Sequence, residues 1–384
     1  MATPTIVIIG GSFAGTKTAK ILDAGLKTKA DIVLIEERDA LYYTIASPRS
    51  VTEPGLAEHL WIPYDKLFSN NPRSRVIKAR ALEVLPGEVK LSNGDSVPFD
   101  FAVITTGARV PTPGQTSKLT KAEGLAETNE ILTAVKKAAS ITIVGGGVVG
   151  VEIAGEIATD FPGKNVTIIH AGPTLVNRNS LSAKATSLVS QQLAALKVNV
   201  KLNTRAVVPE GQNSILPNDA SYNLSPATIK TSTGETIESD VQFLCTGIAQ
   251  PNSELARTLG NVFDKDGYIT VESTGQVKGF KNIFSLGDVS NLDTAKLAYS
   301  TNSQSTIIGA NIISLVEKSG AVLKTYTRMK PGSFAVLSIG RNGGVLQTPI
   351  GTFGAWTTKN IKSKELFIGQ NWKDLNLTST YKAK

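Results

Sequence analysis

The first residues that could do chemistry follow an apolar run at residues 6–9, which breaks into Gly10, Ser12 and Gly15. A helical pattern follows over residues 16–26, so the segment predicts a strand, a tight turn and a helix. This order is typical of a dinucleotide-binding unit, because the helix N-terminus offers unpaired N–H groups and a partial positive charge to a pyrophosphate. Ser12 replaces the middle glycine of the usual pattern, and its small hydroxyl side chain can donate to phosphate.

The strand predicted next, over residues 31–35, ends at Glu36. A carboxylate about 20 residues beyond the last glycine is placed to accept a hydrogen bond from a ribose 2′-hydroxyl. Further residues predicted to contact this first dinucleotide are Phe13, Ala14, Arg49 and Ala79. For Arg49, which lies in the loop beyond the ribose position, a surface cation is the alternative.

Gly145, Gly147 and Gly150 form a second and complete glycine pattern, between an apolar run at residues 141–144 and a helical pattern at residues 151–158. The sequence therefore predicts two dinucleotide-binding units in one chain. Such a pair is far more specific than either motif alone.

The strand after the second turn, predicted over residues 165–169, ends at His170, where an acid would favour NAD. A histidine is neutral or cationic, so NADPH is expected to be tolerated as well as NADH. A merely exposed ring is an equal alternative. Val148 and Gly247 are also assigned to this second site, Gly247 because a Thr-Gly pair follows another apolar strand there.

Polar residues follow other predicted strands too. Thr106 and Gly107, which follow an apolar run, are assigned to cofactor binding, and Asp288 comes just after a strand predicted over residues 282–286. A carboxylate just past a strand end can accept hydrogen bonds from a sugar or ribityl hydroxyl. A helix is predicted next, over residues 294–316. The residues at its start are Lys296, Leu297 and Ala298.

Composition narrows the class of protein. The chain has 384 residues, of which 41% are hydrophobic and 19% are charged, and its net charge is +8. Its single cysteine, Cys245, excludes an intramolecular disulfide and a Cys-x-x-Cys centre, and fits a reducing compartment. No apolar stretch reaches the roughly 18 residues of a membrane span, and no secretory signal is evident. We therefore expect an intracellular protein, in the cytoplasm or the mitochondrion and not secreted.

Two dinucleotide sites in one chain indicate electron transfer between two dinucleotides. The expected reaction is hydride transfer from C4 of NADH or NADPH, bound by the second unit, to N5 of FAD, bound by the first. The chain has only two histidines, His59 and His170, and it contains no Ser–His–Asp arrangement and no metal-ligand spacing. The protein is thus expected to supply alignment and electrostatics rather than a nucleophile or a metal ion.

These motifs occur in the order found in the two-dinucleotide-binding flavoprotein reductases, which the sequence resembles from end to end. Within that superfamily it resembles the apoptosis-inducing-factor-like branch, close to the AMID or ferroptosis-suppressor type of NAD(P)H:quinone oxidoreductase. The segments that carry this resemblance most clearly are residues 150–157 (GVEIAGEI), 341–345 (RNGGV) and 362–367 (KSKELF).

The resemblance implies roles for individual residues. Asp288 would bind the ribityl chain of the flavin, and residues 296–298 would place a helix N-terminus near its pyrimidine edge. Glu156 would point toward the nicotinamide or quinone end of the flavin, with a solvated helix glutamate as the alternative. Lys362 and Phe367 would line the acceptor pocket, with a core aromatic as an equal alternative for Phe367.

We predict an α/β fold with two Rossmann-like dinucleotide-binding domains of the glutathione-reductase-like kind and a small α+β C-terminal region. The predicted FAD-binding domain comprises residues 1–115 and 249–322. The predicted NAD(P)H-binding domain comprises residues 116–248, and the C-terminal region comprises residues 323–384.

The leading hypothesis is an FAD-dependent enzyme that passes two electrons from NAD(P)H to a quinone-type acceptor without a redox disulfide. Oxygen or an electron-carrier protein is the alternative acceptor. A second hypothesis is a redox-sensing, pro-death protein of the apoptosis-inducing-factor kind with a DNA-binding basic surface, although no nucleic-acid motif supports it. Monomer and homodimer both remain open.

The positive charge indicates a solvated basic surface that attracts anionic nucleotides, with an anionic membrane as a sharper alternative. Residues 359–384 carry six lysines and also Phe367, Trp372 and Tyr381. This composition suggests peripheral contact with an anionic membrane, and a solvated basic tail is the alternative.

Overall fold

Two five-stranded sheets form the centre of the molecule. A computed structural model describes residues 2–110, 112–176, 181–210, 214–216, 220–246, 249–294, 296–318 and 320–383. The strands of the first sheet are β1 (Thr5–Ile9), β2 (Asp31–Glu36), β5 (Arg75–Lys78), β9 (Phe101–Ile104) and β19 (Ile283–Ser285). They are all parallel, in the spatial order β19-β9-β1-β2-β5. The first sheet therefore combines the start of the chain with a strand that follows the second sheet.

The central strand β1 is buried along residues 6–9, as its continuous apolar run predicts for a parallel strand covered on both faces. It pairs with β2 from Thr5 opposite Asp31 and with β9 from Ile6 opposite Phe101. Two long helices, α1 (Phe13–Leu26) and α6 (Ala298–Glu317), pack against each other beside this sheet. Both begin at its carboxyl edge, where the glycine turn lies.

The second sheet has the same design. Its strands are β11 (Ser140–Val144), β12 (Asn165–Ile169), β13 (Asn199–Lys201), β14 (Tyr222–Asn223) and β17 (Val241–Leu244). Their spatial order is β13-β12-β11-β17-β14, and only β14 is antiparallel to its neighbour. The helices of this unit are α3 (Lys121–Lys137), α4 (Val148–Asp160) and α5 (Ala183–Ala195). This sheet has an apolar core of its own, separate from that of the first.

Short antiparallel strand pairings and one short helix lie outside the two five-stranded sheets. They are β3 (Ala40–Tyr42) with β4 (Trp61–Pro63), β6 (Ala81–Val84) with β7 (Glu88–Leu91) and β8 (Ser96–Pro98), β10 (Ala108–Arg109) with β18 (Gln250–Pro251), β15 (Ala227–Lys230) with β16 (Thr236–Ser239), and helix α2 (Ser47–Ser50). The dipeptide Asn93-Gly94, a strong hairpin-turn signal, lies in the β7–β8 connection.

The C-terminal region begins with an antiparallel sheet of β20 (Ala335–Ile339), β21 (Gly343–Thr348) and β22 (Gly351–Phe353). Helix α7 (Ala355–Thr358), a π-helical turn (Lys359–Ser363) and helix α8 (Ile368–Asp374) follow. Among the residues that the structure describes, no helix has the length and apolar character needed to cross a membrane.

Candidate dinucleotide sites and active site

The first glycine turn accepts no side chain at two positions. Gly10 has φ +101°, and a Cβ atom there would lie 2.6 Å from the Thr105 carbonyl oxygen. A Cβ atom at Gly15 would overlap the Gly10 carbonyl oxygen. Glycine at both positions therefore lets α1 approach the edge of the sheet, so that its first N–H groups face the space beyond β1.

Glu36 closes the same turn from the neighbouring strand. Its carboxylate accepts hydrogen bonds from the Gly11 N–H at 2.6 Å and from the Arg38 N–H at 3.0 Å. The Ala79 N–H donates to the Glu36 carbonyl oxygen at 3.0 Å, so Ala79 lies beside the strand end as well. A cavity of about 410 Å³ begins at the next residue, Glu37, and is also lined by Lys78. The Glu36 carboxylate thus holds the backbone of the first turn from the neighbouring strand.

The N-terminus of α1 is not capped by its own side chains. Ser12 is the N-cap residue, yet within the described structure its hydroxyl makes no cap hydrogen bond, and the first turn with Phe13 and Ala14 contains no acid. By contrast, α3 is closed by a full capping box between Thr120 and Glu123. The free N–H groups of α1 are therefore available to an anion such as pyrophosphate.

The second glycine turn repeats this geometry. Gly145 has φ +116°, and a Cβ atom at Gly150 would overlap the Gly145 carbonyl oxygen. Gly147 is the N-cap of α4, with no neighbour within 4 Å of its Cβ position among the described residues, and Val148 is the first helical residue. Gly247, assigned to this site from the sequence, lies outside the described residues.

His170 takes the place that Glu36 has in the first turn. The Gly146 N–H donates to its Nδ1 atom at 3.1 Å. Because Nδ1 acts as the acceptor, this hydrogen bond belongs to an imidazole whose Nδ1 carries no proton. The end of β12 therefore presents an imidazole where the end of β2 presents a carboxylate.

Asp288 and the start of α6 lie beside the first turn. Asp288 belongs to the single helical turn Gly287–Val289 after β19, and a Cβ atom at Gly287 would lie 3.3 Å from the Ala14 Cβ. Burial raises the pKa of Asp288, and the nearby Lys296 ammonium opposes that rise. Leu297 is the N-cap of α6, which begins at Ala298 and has neither a capping side chain nor an acid in its described first turn. Gly287, next to Asp288, thus lies against the first turn of α1, and α6 reaches the same place through the Ser305 hydroxyl, which donates to the Ala14 carbonyl oxygen at 3.4 Å.

Lys296 itself is held by the protein. Its ammonium donates to the Ser290 carbonyl oxygen at 2.5 Å and lies 4.3 Å from the centre of the Tyr268 ring. Desolvation lowers its pKa, and Asp288 opposes this effect. A contact of its ammonium with a flavin stays a prediction.

Thr106 and Gly107 hold the chain where it returns from the second sheet to the first. The Thr106 hydroxyl donates to the Asn252 carbonyl oxygen at 2.6 Å, and the Asn252 N–H donates to the Gly107 carbonyl oxygen at 2.9 Å. Gly107 has φ +68°. These residues thus join the two sheets at their carboxyl edges.

Helix α4 carries an acidic stripe, Glu152, Glu156 and Asp160, spaced four residues apart on one face. Each acid pairs with a base from another part of the chain. The partners are Lys362 for Glu152 at 2.6 Å, Arg49 for Glu156 at 3.0 Å and Arg341 for Asp160 at 2.8 Å. The stripe therefore ties α4 to α2 of the first unit and to the C-terminal region.

The central pair of the stripe is fully buried. Arg49 is 0% exposed and Glu156 is 1% exposed, and two hydrogen bonds of 3.0 Å join the guanidinium to the carboxylate. Arg49 also donates to the carbonyl oxygens of Ser363 and Lys364. The alternatives of a surface cation for Arg49 and a solvated glutamate for Glu156 are both wrong, because each group is desolvated and satisfied by the other. Direct contact of either residue with a cofactor stays a prediction.

Lys362 and Phe367 face the protein interior. Lys362 is 5% exposed and donates to Glu152 and to the Val336 carbonyl oxygen. Phe367 packs against the first apolar core with φ +56°, and the preceding Leu366 has φ +51°. The Tyr43 hydroxyl donates to the Leu366 carbonyl oxygen at 2.8 Å, which holds this unusual pair of left-handed residues in place. The role of both residues in an acceptor pocket is not tested by these contacts.

Sequence reasoning missed Glu152, Arg341 and Tyr64. The repeat of acids every fourth residue on α4 was the available signal for Glu152. The Tyr64 hydroxyl donates to the Gly11 carbonyl oxygen at 2.8 Å, and no local pattern announces this contact across 53 residues. In the described ranges, no three metal-ligating side chains come together.

The two glycine cradles, each at the carboxyl edge of a mainly parallel sheet and each beside an open helix N-terminus, define a class of oxidoreductase that binds two dinucleotides. The profile of the pyridine nucleotide-disulphide oxidoreductase family matches residues 4–306. The chain belongs to this family, in its apoptosis-inducing-factor-like branch. It is an FAD- and NAD(P)H-dependent oxidoreductase of that type.

Two relatives support the assignment of the chain to the apoptosis-inducing-factor-like branch. The chain is 32% identical over 382 residues to apoptosis-inducing factor homolog B of Dictyostelium discoideum, and the match covers 97% of this chain and 96% of that protein. It is 31% identical over 378 residues to ferroptosis suppressor protein 1 of Taeniopygia guttata, again with 97% and 96% covered.

Solved structures share the fold at lower identity. The sulfide:quinone oxidoreductase of Aquifex aeolicus has a TM-score of 0.72 at 18% identity, with 97% of this chain and 92% of that one covered. A ferredoxin reductase of Rhodopseudomonas palustris has a TM-score of 0.68 at 17% identity, with 98% and 96% covered. The predicted α/β fold with two Rossmann-like units is confirmed.

Proposed function

We propose that the chain is an NAD(P)H:quinone oxidoreductase. The observation that carries the proposal is a pair of dinucleotide cradles in a chain whose only cysteine is Cys245. Burial raises the pKa of that thiol to about 12, so a thiolate is not available at neutral pH. Without a dithiol relay, the acceptor must itself reach the flavin, and a quinone, which can take both electrons, is suited to that exchange.

The residues that would hold FAD fit the group. The open N-terminus of α1 faces the pyrophosphate, Glu36 faces the ribose, and Asp288 offers a carboxylate to the ribityl hydroxyls. The open N-terminus of α6 supplies a partial positive charge beside them. When bound, FAD supplies the site that accepts a hydride from the nicotinamide and returns electrons to the acceptor.

The residues of the second cradle would hold NADH or NADPH. The N-terminus of α4 binds the pyrophosphate, and His170 faces the ribose without the negative charge that would repel a 2′-phosphate. The buried Arg49–Glu156 pair fixes α4 against the first unit, so that the two cradles keep one relative position. This pair acts on the reaction through position rather than through proton transfer.

The proposal is tested by steady-state oxidation of NADH and NADPH with a water-soluble ubiquinone analogue, ferricyanide and oxygen side by side. The purified protein is expected to be yellow and to be bleached by either nucleotide, and the quinone should restore the colour much faster than oxygen does. If oxygen or ferricyanide alone restores the yellow colour and the quinone does not, the proposed quinone acceptor is wrong. A colourless protein without affinity for FAD would contradict the whole reading.

A further inference from the structure

Four large apolar side chains are exposed within twelve consecutive residues of the C-terminal region. They are Ile350 (89% exposed), Phe353 (37%), Trp356 (80%) and Ile361 (44%). We name them the apolar patch. Single exposed apolar residues need no explanation, but a cluster that includes a largely exposed tryptophan marks a binding surface.

The patch stands on a rigid base. Ile350 lies in the turn between β21 and β22, Phe353 ends β22, and Trp356 belongs to α7, which packs on both strands. Helix α5 lies against the same sheet, where the Ser182 and Thr352 hydroxyls are 3.1 Å apart. The apolar side chains are therefore presented by a packed unit and not by a loose tail.

The two chain segments that include the patch and α5 are rich in basic residues. Residues 318–364 contain eight Lys and Arg and no Asp or Glu, and residues 161–209 contain six and again no acid. Acids from other segments neutralise some of them, since Arg341 pairs with Asp160, Lys362 with Glu152 and Lys201 with Glu235, and the exposed Glu365 directly follows the first segment. The positive charge near the patch therefore rests on its exposed lysines. Exposed lysines near the patch are Lys184, Lys359 and Lys364.

We propose that the apolar patch docks the protein on an anionic phospholipid surface. Tryptophan and isoleucine would enter the interfacial layer, while the surrounding lysines would meet phosphate and carboxylate headgroups. A second copy of the chain fits less well, because a symmetric contact would bring the three exposed lysines of each copy together, with Glu365 as the acid beside Lys364. A nucleic acid would match the charge but offers no hydrocarbon to the two isoleucines.

This surface differs from the one that composition suggests. Phe367, Trp372 and Tyr381, the aromatic residues of the lysine-rich stretch, pack against the first apolar core. They are therefore not available to insert into a membrane. Docking through the apolar patch is independent of the proposed quinone acceptor, since binding can be measured without turnover.

The first test is co-sedimentation of the FAD-loaded protein with vesicles of phosphatidylcholine alone and with about one-third phosphatidylserine. Binding is expected only to the anionic vesicles and should weaken as salt is raised. The double variant Ile350→Ser, Trp356→Ser should lower the partition coefficient by roughly tenfold or more. The control Leu82→Ser removes a side chain that is 49% exposed on β6, outside the segments around the patch, and it should bind as the parent does.

A test with lysine variants distinguishes an anionic membrane from the other partners that the apolar patch could bind. Lys184→Gln with Lys359→Gln should weaken vesicle binding by about fivefold for each lysine. The control Lys137→Gln with Lys278→Gln removes the same charge from other exposed positions and should have little effect. The proposal would be overturned by equal binding to neutral vesicles or by no binding to vesicles at all. It would also be overturned by salt-sensitive retention of duplex DNA without vesicle binding, or by a dimer that Trp356→Ser dissociates. Quinone turnover is measured separately, so its failure would leave this result standing.

Discussion

The two glycine turns of the chain share one backbone and differ in the side chains around it. In each turn the first glycine has a positive φ, +101° at Gly10 and +116° at Gly145, and the last glycine touches the carbonyl oxygen of the first. In both turns the N–H of the residue after the first glycine, Gly11 or Gly146, donates to the side chain at the end of the next strand. The acceptor is a carboxylate, Glu36, in the first turn and an imidazole, His170, in the second.

This difference shows which part of the motif is general and which part selects the ligand. The glycines set the approach of helix to strand in both turns, whereas the strand-end side chain is the residue that we propose to meet the ribose. The two turns also differ in the group that donates a hydrogen bond to the carbonyl oxygen of their second residue. The Gly11 carbonyl oxygen accepts from the Tyr64 side chain at 2.8 Å, and the Gly146 carbonyl oxygen accepts from the Val176 backbone N–H at 2.8 Å.

The largest effect is expected where the backbone has no room. Gly15→Ala places its Cβ on the Gly10 carbonyl oxygen, so α1 must move away, and FAD affinity should fall by roughly 100-fold or more. Gly150→Ala should leave the flavin bound but abolish its bleaching by NAD(P)H. Visible absorbance and stopped-flow reduction report the two losses separately. Gly87→Ala is the control, since no described atom lies within 4 Å of its Cβ position. Loss of FAD from Gly150→Ala would contradict the assignment of FAD to the first turn and NAD(P)H to the second.

A smaller effect is expected from the charge of the first turn. Glu36→Gln keeps the shape but removes the anion that accepts from Gly11 and Arg38, and it presents an NH₂ group to one of these donors. A lost hydrogen bond to a charged group is worth about 1.5–3 kcal/mol, which is roughly a 10- to 100-fold loss of FAD affinity. Fluorescence titration of the apoprotein measures it. Glu83→Gln, an exposed glutamate of β6, should change nothing.

His170→Glu would give the second turn the side chain of the first. The new carboxylate accepts the ribose hydroxyls of NADH and repels a 2′-phosphate, so the kcat/KM ratio of NADH over NADPH should rise roughly 10- to 100-fold. His170→Gln, which accepts without charge, should change the ratio much less. An unchanged ratio in both variants would mean that His170 does not face the ribose.

How far the sequence predicts such details depends on whether the partners are close along the chain. Both turns could be predicted, because the strand, the glycines and the strand-end residue lie within one short unit. Helix α1 nevertheless begins at Phe13, three residues before the predicted start, and α3 begins at Lys121 although its apolar periodicity predicts only residues 129–139. The capping box of Thr120 and Glu123 fixes the start of α3, whereas α1 begins directly after the glycine turn without a capping side chain.

Contacts between distant segments could not be predicted. Glu156 looks like a solvated helix glutamate until Arg49, 107 residues earlier, is folded against it. Helix α5 was missed, since only Ala185, Val189 and Leu193 are buried in a run of small and polar residues. Residues 203–234, with many Asn, Ser and Pro, predict an irregular segment in which a hairpin or a surface insertion fits. The hairpin is present as β15 with β16, but the pairing of β14 with β17 joins distant segments and has no local signal.

The two turns should also differ in alkaline stability, because only the first depends on a tyrosine. Burial, and then the Glu36 charge, raises the pKa of Tyr64 well above its usual range. Above about pH 10 the unfolded chain loses this proton while the folded chain keeps it, so stability falls as pH rises further. Tyr64→Phe should cost about 1 kcal/mol near neutrality through the lost hydrogen bond, and should flatten the alkaline decline. Urea unfolding at several pH values tests this, with the exposed Tyr299→Phe as the control; parallel declines in parent and variant would contradict it.

The smallest effect is expected at the middle position, where the turns hold Ser12 and Gly147. Neither site requires glycine for its backbone, since φ is −88° at Ser12 and −75° at Gly147, and the Gly147 Cβ position meets no described atom within 4 Å. Exchanging them by Ser12→Gly and Gly147→Ser should therefore shift FAD affinity and the KM for NADH by only about two- to fivefold, the first through one lost hydroxyl donor and the second through one added. Fluorescence titration and initial rates measure these shifts. If Gly147→Ser instead abolished reduction by NADH, the middle glycine would be needed for the approach of the pyrophosphate, and the first turn would then have to bind its own pyrophosphate at a different distance.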